Sequence, residues 1–329
     1  MNRLTKKSAA AALHAIQGQK VLVYGDLMLD EYLFGEVNRI SPEAPVPIVR
    51  VTAEKWVLGG AANVAANLKA IGTEPLLVGA IGKDAAGVRV RELISNLGIS
   101  GSGLVEDPLK PTIIKTRVIG HSQQMLRIDR EEIGPSGGRA AKALMAKTIE
   151  TAKSATAIIV SDYAKGAVCQ EMIDAIRDCA KKKDVPWIVD PKPAHKSFYK
   201  GATALTPNSK ELSELSHRPA KTDEELAQAA LELAAELELG GLLVTRSEKG
   251  VALVKPKRGK QAIWTIPTEA REVYDVSGAG DTVIATFSAA LAAKLDWIEA
   301  AMLANAAAGV VVGKMGTATT TPQEILERV

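Results

Sequence analysis

Short apolar runs recur along the chain, separated by longer stretches in which apolar residues return every three or four positions. The first run is KVLVYG at 20–25, and others follow at 75–81, 157–161, 187–190, 204–206 and 241–245. They have strand length and no polar alternation, which predicts strands buried on both faces. The intervening segments at 61–71, 85–97, 139–154, 170–182, 210–214 and 222–237 carry the helical period. Strand and amphipathic helix in repeated alternation predict an α/β fold: a three-layer α/β/α sandwich around a mostly parallel sheet. Two regions break the rhythm. Residues 32–55 read as extended pieces around Pro42, Pro45 and Pro47, and residues 112–130 alternate β-branched with polar residues. Neither can supply a crossover helix, so together they predict a small β-sheet projecting as a lid from a single domain spanning 1–329. Residues 250–267 predict a hairpin turning at Lys257-Arg258-Gly259-Lys260, and 300–312 a final Ala-rich helix.

Composition narrows the function classes. Hydrophobic residues make up 47% of the 329, enough for a large core. Lys and Arg number 41 against 38 Asp and Glu, a net charge of +3, and no basic run is interleaved with aromatics, so no nucleic-acid footprint is expected. No apolar run reaches the length of a signal peptide or a membrane span. Cys169 and Cys179 lack metal-ligand spacing and read as reduced thiols, which predicts a soluble cytoplasmic protein. The four histidines are scattered, which argues against metal-hydrolase and serine-hydrolase chemistry.

The stretch Tyr274-Asp275-Val276-Ser277-Gly278-Ala279-Gly280-Asp281-Thr282 carries the clearest chemistry. Gly278, Ala279 and Gly280 leave backbone N–H groups unobstructed where an apolar helix begins, and such groups attract phosphate oxygens. Asp281 falls in the first helical turn, placed to accept the proton of an attacking hydroxyl. Asp275 adds a candidate ion ligand. The same letters also describe an ordinary capped loop. Distant segments add weight, because ligands of parallel sheets bind beyond the carboxyl ends of the strands. Asp26, Asp30, Asp162, Tyr163, Lys165, Asp190, Lys192, Asn208, Glu211, Thr245 and Arg246 all follow predicted strands. Gly59, Gly60 and Asn63 precede an Ala-rich helix, where the glycines allow close backbone approach and Asn63 suits sugar hydroxyls, or else form a loop entering a helix. Asn208 and Glu211, three apart, suit the waters of a magnesium ion or an N-cap with its box partner. Arg127 and Asp129 suit polyol and anion recognition or a pair across strands. No Gly-x-Gly-x-x-Gly follows a strand, which disfavours a nicotinamide dehydrogenase.

These residues resemble the ribokinase/PfkB family of carbohydrate kinases over essentially the whole chain. Gly59-Gly60-Ala61-Ala62-Asn63 is similar to its N-terminal glycine signature. Asp275 to Asp281 is similar to its C-terminal Asp-Thr-x-Gly-Ala-Gly-Asp signature, with Val276-Ser277 departing from it. Segments 37–47, 123–127, 161–166, 189–192 and 205–208 look most like the heptose-7-phosphate kinases of that family. The resemblance implies ATP as phosphoryl donor with Mg2+, K+ as a candidate activator at Asp275, and a sugar phosphate as acceptor. It implies Asp281 as base and the N–H groups of Gly278, Ala279 and Gly280 as anion hole. Asp26, Asp30, Gly59, Gly60, Asn63, Arg127, Asp162 and Lys165 would line the sugar site, with Lys165 or Arg127 on the acceptor's phosphate. Lys192, Asn208, Thr245, Arg246, Gly250 and Asn305 would surround ATP, with Asn208 and Glu211 organising Mg2+ through water. A homodimer through the β lid is also implied. In such enzymes the kinase is often fused to a nucleotidyltransferase; with no His-x-Gly-His motif, the chain is expected to be monofunctional. The alternatives are a kinase of this family for another sugar, and a non-catalytic sugar- or nucleotide-sensing relative.

Overall fold

The structure is a computed structural model that describes residues 4–121, 123–256, 262–269 and 274–329. A first helix, α1 (Lys6–Ala15), leads into β1 (Lys20–Gly25). The chain then departs through a long hairpin, β2 (Leu27–Ile40) and β3 (Pro47–Gly60), and returns as α2 (Ala61–Ala70), β4 (Glu74–Gly82), α3 (Ala85–Asn96) and β5 (Leu104–Asp107). A second hairpin, β6 (Ile113–Gly120) and β7 (Gln123–Arg130), precedes α4 (Gly138–Ala152), β8 (Ala157–Ser161), α5 (Gln170–Lys183) and β9 (Trp187–Asp190). After a 3-10 turn at Pro193–Tyr199 come β10 (Ala204–Leu205), α6 (Ser209–Ser216), α7 (Asp223–Glu236) and β11 (Gly241–Thr245). The closing elements are β12 (Val251–Lys255), β13 (Ala262–Ile266), α8 (Ala279–Ala292), α9 (Trp297–Val311) and α10 (Pro322–Arg328).

Among the described residues, nine strands form one sheet in the order β13-β12-β11-β10-β9-β8-β1-β4-β5. It is parallel from β5 to β11, and β12 and β13 are antiparallel. Alternate residues of one strand enter different cores, as the period of two requires. Val21 and Val23 pack with α2, α8 and α9, whereas Leu22 and Tyr24 pack with α4 and α5. This is the three-layer sandwich the apolar runs predict. Four strands, ordered β3-β2-β6-β7, form the smaller sheet.

The lid hairpin is longer than residues 32–55. It starts at Leu27 and ends at Gly60, so Gly59 and Gly60 close a strand rather than lie in a loop. Alternation of polar and apolar residues is weak there because both faces of the hairpin's far end are exposed. Three elements escape the sequence pattern: α1, started by a Thr5–Ser8 capping box; β5, only four residues long; and α10, started by a Thr321–Glu324 capping box. The expected turn at 257–260 lies outside the described residues, although its flanking strands β12 and β13 do pair. Among the described residues no helix is long and apolar enough to cross a membrane.

Candidate active site

The glycine turn is held from both sides before α8 begins. Tyr274 and Asp275 donate their N–H groups to Val312 O at 2.8 and 3.1 Å. The Asp275 carboxylate accepts from Ser277 N and Gly316 N, each at 2.9 Å. Gly278 caps the helix with φ 77°, a conformation natural to glycine. Asp281 is the third helical residue and only 4% exposed. Asn63 Nδ2, from the first turn of α2, donates to Asp281 Oδ2 at 2.7 Å, and Tyr163 Oη donates to Oδ1 at 2.9 Å. A Cβ on Gly278 would stand 2.8 Å from Asn63 Nδ2, so a glycine here is what lets α2 reach the carboxylate. Behind Asn63, Asn67 Nδ2 donates to Asn63 O at 2.9 Å, and Thr282 Oγ1 donates to Asn67 Oδ1 at 2.7 Å. Burial pushes the Asp281 carboxyl up to about 6, with the Asn63 and Tyr163 hydrogen bonds and the Lys192 charge opposing and Asp30 reinforcing. A carboxylate so tuned is ionised at neutral pH yet basic enough to take a proton.

On one side of Asp281 opens a cavity of about 580 Å³, lined by Asn208, Thr245, Gly250, Val276, Gly280, Val283 and Asn305 among others. A Cβ on Gly280 would meet nothing within 4 Å, so this stretch of backbone faces open space. The Ala279 N–H instead donates to Val276 O at 3.2 Å, which narrows the expected anion hole toward its two glycines. Gly250 has φ 81°, and a Cβ there would lie 2.2 Å from Ile266 O. Asn305 Nδ2 donates to Pro267 O at 2.8 Å, fixing the wall. Arg246 does not line this cavity. Its side chain is 7% exposed and ion-paired with Asp223 of α7, because the strand end turns it the other way. Lys192 does not line the cavity either; it is paired with Glu211 on the Tyr163 side of Asp281, with its Nζ 5.6 Å from the centre of the Tyr163 ring.

The other side faces the lid. Asp30, on β2, is buried and ion-paired with Arg117 of β6, and a Cβ on Gly59 would come within 2.6 Å of Asp30 Oδ2. Gly60 turns at φ 56°, where a Cβ would meet Asp26 O at 2.4 Å. Asp26 is engaged within the protein. Its oxygens accept the N–H groups of Tyr163, Lys165 and Ala167 at 2.9, 3.1 and 2.9 Å, pinning the loop after β8. Asp162 is also committed within the protein: wholly buried, it meets His195 Nδ1 and Tyr199 Oη at 2.6 Å and Ala164 N at 2.7 Å. Lys165 pairs with Glu131 at 2.5 Å. Arg127 stands on the exposed edge strand and pairs with Asp129 two residues along the same strand, at 2.9 Å. Its neighbour Lys115 joins Asp129 and Glu131.

Asn208 and Glu211 form the capping box of α6: Asn208 Oδ1 accepts Glu211 N at 2.9 Å, and Glu211 Oε2 accepts Asn208 N at 3.0 Å. Glu211 Oε1 meets Lys192. Asp190 adjoins them, and desolvation with Glu211's charge lifts its carboxyl well above the usual range. Asp190 thus adds a second carboxylate beside Asn208 and Glu211, and the three together could hold a largely hydrated divalent cation through its waters. Among the described residues no three or more His, Cys, Asp or Glu cluster as a metal cage. Sequence reasoning assigned no role to Asn67, Thr282 or Arg117, and picked out Asp190 only as a polar residue at a strand end. Asn67 was detectable as the second amide, four residues on, in a helix otherwise built of Ala and Val up to that point.

A family model described as pfkB family carbohydrate kinase matches residues 18–324. The chain is 45% identical over 310 residues to the bifunctional protein HldE of Geotalea uraniireducens, covering 94% of this chain and 63% of that protein. It thus spans somewhat under two thirds of that relative's length. Among solved structures it is similar to Arabidopsis thaliana ribokinase complexed with ribose and ATP, with TM-score 0.74 and 22% identity over 95% of this chain and 98% of that one. It is also similar to phosphofructokinase-2 from Escherichia coli in complex with potassium, with TM-score 0.75 and 18% identity over 94% and 97%. At these identities the structural likeness is one of fold, ribokinase-like in both cases. The family model covers nearly the whole chain and the glycine turn stands with its buried aspartate beside an open cavity, so the chain belongs to the pfkB family of carbohydrate kinases and is a sugar kinase.

Proposed function

We propose that this sugar kinase transfers the γ-phosphoryl group of ATP to O1 of D-glycero-D-manno-heptose 7-phosphate, giving the 1,7-bisphosphate in ADP-heptose and lipopolysaccharide-core synthesis. The observation that carries the chemistry is Asp281: a buried, ionisable carboxylate at a helix N-terminus, held by two donors, between an open cavity and the lid. The 45% identity to a protein named HldE supports the heptose, as do the segments that resemble heptose-7-phosphate kinases.

In this reading ATP occupies the cavity lined by Asn208, Thr245, Gly250 and Asn305. Asp281 takes the proton of the acceptor hydroxyl as the oxygen attacks phosphorus. The N–H groups of Gly278 and Gly280, with the dipole of α8, stabilise the charge on the group in flight. Asn208 and Glu211, with Asp190 beside them, would hold Mg2+ through water, and the ion would neutralise phosphate charge. Asp30, Gly59 and Asn63 border the sugar side, with Lys165 or Arg127 on the 7-phosphate. The loop containing Asp275 is the proposed place for K+, supported by its carboxylate and the turn at 312–316. The lid's edge strand β7 exposes Met125, Leu126 and Ile128 at 41, 55 and 51%, which supports pairing of two copies through the lid. A cytoplasmic location agrees with the free thiols of Cys169 and Cys179.

The test is ATP consumption with heptose 7-phosphate, ribose, fructose and fructose 6-phosphate, with the product's new phosphate located by NMR. Turnover confined to the heptose phosphate, with a phosphate at C1, is expected. Turnover only on another sugar would overturn the substrate, and silence on every acceptor would overturn the chemistry.

A further inference from the structure

Tyr163 is bound into the site by more structure than a loop residue needs. The segment 162–167 is held by three N–H bonds to Asp26, by Ala164 N to Asp162, and by Tyr24 Oη to Ala167 O at 2.6 Å. Within it Ala164 adopts φ 54°, an unfavourable conformation for a residue with a Cβ. Gly166, at φ 113°, passes so close to Gly134 that a Cβ would lie 1.7 Å from its carbonyl oxygen. Strain of this kind persists where surrounding contacts over-determine it, and it clusters at functional sites. What the segment delivers is one hydroxyl, 2.9 Å from Asp281 Oδ1.

We propose that Tyr163 is a positioning residue of the phosphoryl transfer: its hydroxyl, set by the Asp26-pinned loop, orients Asp281 and fixes which lone pair is left for the acceptor. The inference rests on Asp281 being the base, and not on which sugar is the acceptor. Burial and the Asp281 charge hold the Tyr163 hydroxyl well above its usual range, so it stays protonated and acts only as a donor. A donor on Oδ1 favours the ionised carboxylate. The other groups facing Asp281 are Asn63 on Oδ2 and the charges of Asp30, Lys192 and Asp190. Asn63 and Tyr163 thus take one oxygen each, and the two bonds together set the plane of the carboxylate and so the directions left for an acceptor hydroxyl.

Tyr163→Phe removes the hydroxyl and little else. With the acceptor that the wild-type protein turns over, kcat should fall about 10- to 100-fold, the loss expected for a hydrogen bond to a charged group. The KM for ATP should stay within about twofold, and the acid limb of kcat/KM should move to higher pH by about half a unit or more. A lower kcat with an unmoved acid limb would mean a merely structural role and overturn the proposal, as would wild-type kinetics. Global replacement of tyrosine by 3-fluorotyrosine, a stronger donor, supplies the opposite sign without deleting a group: the acid limb should move to lower pH, and an unmoved limb overturns the proposal. Asp281→Asn separates the two readings. Near-normal turnover in that variant overturns Asp281 as base, whereas its loss alongside an unaltered Tyr163→Phe profile overturns only the role of Tyr163.

Discussion

The floor of the cleft and the lid are both polar, but they hold their polar groups in opposite ways. On the floor, Asp281, Asn63, Asn67, Thr282 and Asp162 are each 4% exposed or less, and every bond named among them has one geometry imposed by helix and strand packing. On the lid, Arg127, Asp129, Lys115 and Glu131 pair with one another along strands that solvent reaches. A buried polar group without its partner carries the full desolvation penalty, whereas an exposed ion pair is worth little. The floor is therefore built for position, whereas the lid's outermost charge, Arg127, can leave Asp129 for a ligand at small cost, and Lys115 and Glu131, 13 and 16% exposed, lie between these extremes.

If that contrast is right, the largest effect belongs to Asp281→Asn. Turnover should fall by about 10²- to 10⁴-fold with ATP affinity nearly unchanged, measured by steady-state kinetics and nucleotide titration. In the wild-type protein kcat/KM should fall on acidification through about pH 6, as Asp281 takes up its proton. Stability should move the other way. The folded-state carboxyl titrates at about 6 against an ordinary 3.8, so between these values the folded protein binds a proton that the unfolded chain has released. Raising the pH through this window lowers stability, by about 3 kcal/mol at most. Asp281→Asn removes that penalty, since its amide can accept from Asn63 and donate to a reversed Tyr163 hydroxyl. Its Tm should exceed that of the wild type at pH 8, and the gain should vanish near pH 4. Equal melting at both pH values would show that the carboxylate is not strained by burial.

Gly278→Ala comes next. The added Cβ would sit 2.8 Å from Asn63 Nδ2 on a backbone at φ 77°, so the substitution both strains the turn and pushes Asn63 from the base. A loss of about 1–2 kcal/mol in stability and about 10-fold or more in kcat is expected from denaturant melts and kinetics. Normal kinetics in a destabilised variant would mean that Asn63 is not needed to hold Asp281.

The same contrast explains what could be read from the chain. The parallel sheet was legible because apolar runs such as 20–25 and 157–161 are buried on both faces and have no other use. The turn at 275–281 was legible because its residues are consecutive. Partnership was not. Nothing in the spacing of Asn63, Tyr163 and Asp281, which are 218 and 118 residues apart in their two bonds, says that they meet. Likewise Asp26 and Asp162 look like ligands after a strand, and only the fold shows their oxygens accepting from backbone and side-chain donors of the protein. Arg246 follows β11 as a ligand would, yet α7 offers it Asp223. Short elements such as β5 carry too few residues to show a period at all.

On the lid the effects should be smaller and separable from catalysis. Leu126→Glu puts a charge on the exposed apolar edge of β7 and should shift sedimentation from dimer to monomer while leaving kcat within about threefold. A monomeric wild type would remove the pairing proposal and leave the floor untouched.

The smallest effect is expected for Arg127→Ala, and it sharpens the comparison most. Arg127 is 53% exposed in its side chain and, among the described residues, pairs with a carboxylate on its own strand. Removing it should leave the melting temperature within about a degree, because an exposed pair contributes at most a few tenths to one kcal/mol. Its kinetic signature then tells whether the lid takes part in binding. A KM for the sugar phosphate raised several-fold at constant kcat would mean that Arg127 leaves Asp129 for the acceptor's phosphate, adding uniform binding but nothing to the transition state. An unchanged KM would leave Lys165 as the cation for that phosphate, in its half-buried pair with Glu131. A fall in kcat would break the comparison itself, because a lid residue would then be doing the work assigned to the floor.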